Sequence, residues 1–401
     1  MKRVNKRSKK RDENNGAANV ANDPFSTIPL ELKLEILMRS PPRSIARLRL
    51  ASKHMSSIIG GKDFTELYTA RSSSQPRRLL FSVHRGSDKQ QTHFFHSCSL
   101  DDPSDSDHHD NVSYTMDPDL RYSFSPPIRG LICGRNGIKM IIGNPSTGQF
   151  VLLPRIKTRK KDIFSAFGYD PVNNVYKVLC MTLKTKRGNP HIISRDMLWD
   201  DYLWEDMSEE HQVITVGAKQ KWRMIECKYL HRHDSGSVGI CRDGVVYYLA
   251  SYKQKRSLMS FDLSSEEFNV TKLPEDYHLE QFGHMVNHSG KITIASMAYG
   301  GPIDLWVLED VKKQVWSKSA KVVPSCRDIF RENDQFMFKG ILGTGEIIFS
   351  PIPSPNPFFF LCYDPKEKNV RKVFVQGIGD DESAAIQVQL FFDHVESYMF
   401  L

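Results

Sequence analysis

Two kinds of turn recur along this chain from about residue 75 onward, separating short β-type runs, and this repetition constrains the fold more than any other feature. The first kind ends in glycine and leads into an apolar strand. Asp243-Gly244 precedes residues 245–249, Ser289-Gly290 precedes 291–294, Thr344-Gly345 precedes 346–349, and Asn136-Gly137 precedes 138–141. The glycine supplies the positive φ that tight hairpins require. The second kind is acidic or Asn-led and joins an aromatic or apolar strand to a returning one. Asp262, Asp310 and Asp364 begin such turns, with earlier variants at Asn144 and Asp170 and a further turn over 217–222. From Asp170 to Asp364 the turns recur about every 46 to 54 residues, close to the roughly 50-residue blade period of kelch-type repeats. Two hairpins per period make a four-stranded sheet, and several such sheets around an axis make a β-propeller. The repeats are degenerate and lack the kelch double glycine, so an irregular β-sandwich stays open on the turns alone.

Before this region the pattern is helical. Residues 25–71 predict three short helices. Pro29 suits a first helical position, where a missing N–H is no loss. Leu30, Leu32, Leu34, Ile36, Leu37 and Met38 then cover most of the first helix's circumference, leaving Glu31, Glu35 and Arg39 as a narrow polar stripe. Pro41-Pro42 stops that helix, and Ser44 is positioned to cap a second one carrying Ile45, Leu48 and Ala51. A third segment around Met55, Ile58 and Ile59 ends at Gly60-Gly61. Three short helices enclose one small interior, so the surplus apolar face calls for a partner.

The net charge of +8 suggests nucleic acid until it is located. Lys2, Arg3, Lys6, Arg7, Lys9, Lys10 and Arg11 supply seven of those charges, so the remaining chain is nearly neutral. Residues 1–24 are expected to be a disordered basic tail, serving as a nuclear import signal or as a solvated arm. No stretch reaches the roughly 20 apolar residues that span a bilayer, and the basic start lacks a signal peptide's apolar segment. Seven scattered cysteines without a C-x-x-C pair point to free thiols in a reducing compartment, hence nucleus or cytoplasm.

A search for chemistry yields no catalytic, cofactor-binding or metal-binding constellation. Phosphate loops, nucleophile elbows and His-Glu-x-x-His helices do not occur. The glycine-rich run 143–148 lacks the phosphate-loop lysine and reads as a hairpin turn. His93, His96 and Cys98 have ligand chemistry at feasible spacing, as do His231, His233 and Asp234, but neither set has a matching second half. They read as ordinary core or surface histidines. The acidic residues between Asp196 and Glu210 lack the glycine and spacing of a calcium loop.

The helical strings carry more than periodicity. Ile28-Pro29-Leu30-Glu31-Leu32, Glu35-Ile36-Leu37-Met38-Arg39-Ser40-Pro41, Arg43-Ser44-Ile45-Ala46-Arg47-Leu48-Arg49 and Ser52-Lys53 together resemble the F-box. That motif is the adaptor-binding module of Skp–cullin–F-box (SCF) ubiquitin ligases. Ser40, Ala51 and Met55 stand where Leu, Val and Trp are usual, each with less apolar area. Farther on, Tyr169-Asp170-Pro171, Tyr176-Lys177-Val178-Leu179-Cys180-Met181, Trp222-Arg223-Met224-Ile225-Glu226-Cys227, Gly244-Val245-Val246-Tyr247-Tyr248-Leu249-Ala250 and Leu305-Trp306-Val307-Leu308-Glu309-Asp310 resemble the plant F-box-associated (type 3) β-propeller-like domain over about 75–378.

The resemblance implies an α+β chain by domain: a basic tail (1–24), a three-helix F-box (25–71) and a mostly β, degenerate kelch-like propeller (72–401). It implies a non-catalytic substrate-recognition subunit that binds a Skp-type adaptor, and through it a cullin, while the β domain recruits an unidentified protein target. Ile28, Pro29, Leu32, Ile36, Leu37, Pro41, Ile45 and Leu48 are the expected adaptor contacts, some of which must instead hold the helices together. Between residues 183 and 212 a long connection interrupts the hairpin rhythm, and its Trp199, Tyr202 and Trp204 are candidate target contacts. Pinning that loop to the propeller rim is the other role open to both tryptophans. The alternatives are a chromatin or nucleic-acid binder using the basic tail, and a glycan- or small-ligand-binding propeller. Near-neutrality of the β region speaks against nucleic acid.

Overall fold

A computed structural model describes residues 27–74, 78–87, 90–99, 112–114, 122–159, 162–185, 207–217, 220–234, 238–277, 282–297, 303–319, 336–342, 344–378 and 385–399. The chain divides after Ser74 into two compact units.

The first unit has four helices rather than the expected three: α1 (Leu30–Arg39), α2 (Pro42–Ala51), α3 (Lys53–Ile59) and α4 (Lys62–Ser74). The added helix forms because Phe64 and Tyr68, one turn apart, are both buried with ring centroids 5.8 Å apart. Arg71 on α4 donates to the Met38 carbonyl at the end of α1, satisfying a group that helix cannot pair itself. Two helix starts also fall one or two residues from expectation. Pro29 is the N-cap of α1 rather than its first residue, its carbonyl accepting from Lys33 N at 3.0 Å. Pro42 opens α2, which moves Ser44 into its first turn. Pro42 has no N–H to satisfy, and the Pro41 carbonyl accepts from Ser44 N at 2.9 Å and Ile45 N at 3.1 Å, with no side chain capping the start. Ser52 does cap α3, its hydroxyl accepting from Met55 N at 3.1 Å.

The second unit is a six-bladed β-propeller. Blade 1 holds β1 (Arg78–Ser87), β2 (Gln90–Ser99) and β3 (Val112–Tyr114). Blade 2 holds β4 (Ser123–Phe124), β5 (Ile132–Asn136), β6 (Lys139–Asn144) and β7 (Gln149–Leu152). Blade 3 holds β8 (Ile163–Asp170), β9 (Val175–Thr185), β10 (Met207–Thr215) and β11 (Arg223–Ile225). In blade 4, β12 (His231–His233) and β13 (Ile240–Arg242) both pair with β14 (Val245–Tyr252), followed by β15 (Lys255–Asp262) and β16 (Phe268–Lys272). Blade 5 contains β17 (Phe282–His288), β18 (Lys291–Met297), β19 (Ile303–Asp310) and β20 (Val315–Lys318). Blade 6 contains β21 (Phe336–Ile341), β22 (Ile347–Pro351), β23 (Phe359–Asp364) and β24 (Asn369–Phe374). The last strand, β25 (Ala385–His394), returns to pair with β1, so blade 1 is built from both ends of the domain.

Six apolar clusters close the ring, one at every blade-to-blade junction. Leu79, Phe81 and Val83 pack with Ile348, Phe358 and Phe360 of blade 6, whereas Leu80 between them packs with Phe124 and Ile132 of blade 2. Val178 and Cys180 face blade 2, and Leu179 and Met181 face blade 4. A strand's side chains alternate between its two faces, and here both faces are buried. Central blade strands therefore read as unbroken apolar runs, a pattern usual for strands covered on both sides. Outermost strands meet solvent instead, as at Leu152 on β7 and Phe374 on β24.

The recurring turns have a common physical basis. Asn144, Asp170, Asp262, Asp310 and Asp364 each accept a backbone N–H two or three residues on, at 2.8–3.0 Å. The fourth residue after each is left-handed: Gly148, Asn174, Glu266, Gln314 and Lys368, with φ between 51° and 74°. Four of these turns join the third and fourth strands of a blade. Asp170 joins the first and second strands of blade 3, so it is out of phase with the period read from it. Its carboxylate is fully buried beside Lys177, whose ammonium also meets Glu266 at 3.0 Å and ties blade 3 to blade 4.

Candidate functional site

In the helical unit, the residues expected to meet an adaptor separate by exposure. Leu37 and Ile45 are 1% and 0% exposed, which assigns their side chains to the unit's interior rather than to a docking surface. Leu32 and Ile36 are 51% and 44% exposed, one turn apart on α1. Pro29 and Pro41 are also exposed, while Ile28 and Leu48 are half-buried. Sequence reasoning left out Leu30, Leu50 and Leu67, which are exposed as well. Helical period alone does not separate them from core leucines. The polar stripe Glu31, Glu35 and Arg39 is exposed, with a 2.6 Å Arg39–Glu35 ion pair.

Within the same helix Lys33 is buried, its Nζ 3.0 Å from His54 Nε2, a polar contact in an otherwise apolar face. Of the three departures from the F-box pattern, Met55 is buried and concerns internal packing. Ser40 donates to the Ile36 carbonyl at 2.8 Å, and Ala51 is exposed.

The propeller has a polar cavity of about 200 Å³ where β4, β8 and β12 come together. These are the first strands of blades 2, 3 and 4. Both inner strands are short there, β4 with two residues and β12 with three. Arg135, Asp162, His233, Asp234, Ser125 and Ser165 are among the lining groups. Asp162 lies 3.4 Å from His233 Nε2, and that hydrogen bond holds its carboxyl below the usual range. Asp234 pairs with Arg256 at 2.7 Å, yet burial dominates and raises its pKa. The cavity thus juxtaposes a guanidinium, an imidazole and carboxylates, suited to holding a polar or charged group of a ligand.

Trp199, Tyr202 and Trp204 lie outside the described residues, as does the basic tail. His93, His96 and Cys98 are not brought together: β2 turns His96 and Cys98 toward blade 6 and His93 toward Phe95 and Phe124. His231 does acquire nearby ligand-type groups, from β10 and from the segment leading into β12. Six of the seven cysteines are described, and all six are free thiols.

Comparison with known families agrees with this architecture in both units. Residues 78–395 match the F-box associated beta propeller domain, and residues 25–67 match the F-box domain. The chain belongs to the F-box proteins that carry an F-box-associated propeller. An F-box/kelch-repeat protein of Arabidopsis thaliana is 64% identical over 403 residues, spanning 100% of this chain and 99% of that one. The F-box protein DOR from the same plant is 33% identical, with 93% of each chain covered. Among solved structures, TolB from Acinetobacter baumannii aligns with a TM-score of 0.45 at 10% identity, over 86% of this chain and 73% of that one. The sequence family is that of plant F-box proteins, and its helical module is the one whose exposed α1 stripe is described above.

Proposed function

We propose that this F-box protein is the substrate-recognition subunit of an SCF ubiquitin ligase, with its F-box on a Skp-type adaptor and its propeller on a protein target. The supporting observation is the exposed α1 stripe of Pro29, Leu32 and Ile36 within a matched F-box, beside buried Leu37 and Ile45 that hold the unit together. The mechanism is proximity. A target bound to the propeller has its lysines held near a ubiquitin-charged enzyme carried by the cullin arm, which raises their effective concentration. No bond is made or broken by this chain itself. Adaptor binding tests the reading: the full chain should co-purify with a Skp-type adaptor, and absence of any complex would overturn it.

For the target, the polar cavity at β4, β8 and β12 and the Trp199–Trp204 segment are separate contact candidates. Arg135→Ala should weaken target capture if the cavity receives a charged group of the target. Replacing Trp199 and Trp204 with alanine tests the connection. Capture lost at unchanged stability supports contact with the target, and stability lost with capture retained by the folded fraction assigns the tryptophans to packing.

A further inference from the structure

Three ligand-type side chains distant in sequence converge at the joint between blades 3 and 4. His211 comes from β10, His231 from β12, and Cys227 from the segment joining β11 to β12. One ligand atom from each lies within 4.8 Å of the other two. His211 and His231 are buried, and Cys227 is half-buried, so the thiol side gives access from solvent.

The tautomer of His231 follows from its neighbours. Its Nδ1 lies 3.0 Å from the Tyr229 carbonyl oxygen, which can only accept. Nδ1 therefore carries the proton, and the lone pair sits on Nε2. That nitrogen is 3.5 Å from His211 Nε2, with the Tyr248 hydroxyl 2.8 Å away. Two imidazole nitrogens on one tetrahedral zinc stand about 3.3 Å apart, as zinc–nitrogen bonds of about 2.0–2.1 Å require. Cys227 Sγ lies 3.8 Å from His231 Nδ1 and 3.3 Å from the Tyr229 carbonyl, so coordination beside Nε2 requires its half-exposed side chain to turn toward that nitrogen. A backbone carbonyl that orients a ligating histidine through its far nitrogen is the usual support of a zinc ligand.

We propose that His211, Cys227 and His231 form a zinc site. The donor set of one thiolate and two imidazoles suits this ion, which would replace the Tyr248 O–H proton on the Nε2 lone pair and leave that hydroxyl beside the fourth position. Binding displaces the Cys227 thiol proton to solvent and leaves the His231 Nδ1–H on Tyr229, so affinity rises with pH. The ion would link β10 of blade 3 to β12 of blade 4. It would thereby fix the strand that carries His233 and Asp234 into the polar cavity. The inference is independent of adaptor binding, since none of these residues belongs to the helical unit.

The test uses the untagged full chain, stripped with a chelator and titrated with Co²⁺ and then Zn²⁺. The expected result is one Co²⁺ per chain, with the visible bands of a four-coordinate ion and a thiolate-to-metal charge-transfer band, displaced by one equivalent of Zn²⁺. Cys227→Ser should abolish the charge-transfer band and weaken binding at least about tenfold. Zn²⁺ should raise the thermal unfolding midpoint of the parent and not of Cys227→Ser. His211→Asn should behave likewise; if it does not fold, Cys227→Ser decides, its side chain being half-exposed. Failure of the parent to bind one equivalent, or survival of the charge-transfer band in Cys227→Ser, would overturn the site.

Discussion

The helical unit and the propeller handle apolar surface in opposite ways. The helical unit buries Leu37, Ile45, Met55, Ile59 and Phe64 but leaves Leu30, Leu32, Ile36, Leu50 and Leu67 about half-exposed or more. The propeller places an apolar cluster at each of its six junctions and seals its ring by pairing β25 with β1. Radial repetition leaves only short sheet edges, and pairing with β25 covers the edge of β1. A ring satisfied internally can offer polar loops and a cavity to varied targets without depending on them for stability. A small helical unit with an unsatisfied stripe is suited to one obligatory partner. The contrast predicts that damage to the propeller registers as stability, whereas damage to the α1 stripe registers as affinity.

Truncation after residue 384 should have the largest effect. It removes β25, and with it Val388 and Phe391 from the clusters on both sides of blade 1, and it exposes the edge of β1. Each buried side chain of this kind contributes roughly 1.5–3 kcal/mol, and the lost ladder adds to that. The sum reaches more than about 5 kcal/mol, comparable to a domain's whole stability. Circular dichroism melting should show no cooperative β transition. A truncated chain melting within a few degrees of the parent would break the closure argument.

Next in size is Leu37→Ala, which empties a fully buried position and should cost about 2–5 kcal/mol. Leu32→Ala with Ile36→Ala should leave thermal stability nearly unchanged, because both side chains already meet water. Docking would bury only the remaining half of each, about 2 kcal/mol together, so adaptor affinity should fall roughly tenfold to a hundredfold. Calorimetric titration with the adaptor and a melting curve on the same samples separate the two classes. Equal adaptor affinity for the folded double variant and the parent would remove α1 from the docking face.

What the sequence showed and concealed divides along the same physical lines. Hairpin turns were legible because Asp243-Gly244 and Ser289-Gly290 need positive φ at both central residues, and few residue pairs supply it. Blade phase was harder to read. Asp170 makes the same side-chain-to-backbone turn as Asp262, although it joins a different pair of strands, because the turn's chemistry does not encode which hairpin it closes. The fourth helix was visible in retrospect in the Phe64/Tyr68 spacing, while its capture of Met38 by Arg71 depends on how α1 and α4 meet. His211 and Cys227 could not be joined to His231 from spacing. Only the ring topology brings β10 beside β12.

Acidification sharpens the comparison further, with a smaller expected effect. His93 on β2 is buried among Phe95 and Phe124, with Ser82 Oγ 2.9 Å from Nε2. Burial, assisted by the neighbouring His84, lowers its pKa to about 4. The unfolded chain protonates this imidazole near pH 6.5, and the folded chain resists until about pH 4. Stability is therefore fully present above about pH 6.5 and falls as pH drops through that window, by about 2 kcal/mol at pH 5 for this group. His394, lowered to about 3 mainly by burial, acts with the same sign on the same blade. The one histidine of the helical unit, His54, is exposed. Urea unfolding at pH 7.5 and pH 5.0 should show the loss in the β transition, and His93→Phe should reduce it. A β transition independent of pH over that range would contradict burial of neutral histidines in blade 1.

The smallest effect is expected from deleting residues 1–11. This segment holds seven basic residues and no acidic ones, and it accounts for nearly all of the +8 net charge. Polar, charge-rich termini bury little surface, so their removal changes few interactions that distinguish folded from unfolded chain. Melting temperature and adaptor affinity should match the parent within error, and nuclear accumulation of a fluorescent fusion is the property left to respond. The same deletion bears on the nucleic-acid alternative. Phosphate-driven binding weakens steeply with salt in proportion to the number of basic contacts, so a tail-borne interaction would vanish along with its salt dependence. Salt-sensitive DNA binding that survived the deletion would place the contact on the nearly neutral remainder of the chain, against the charge argument. A marked loss of thermal stability would mean instead that the tail packs on one of the two units.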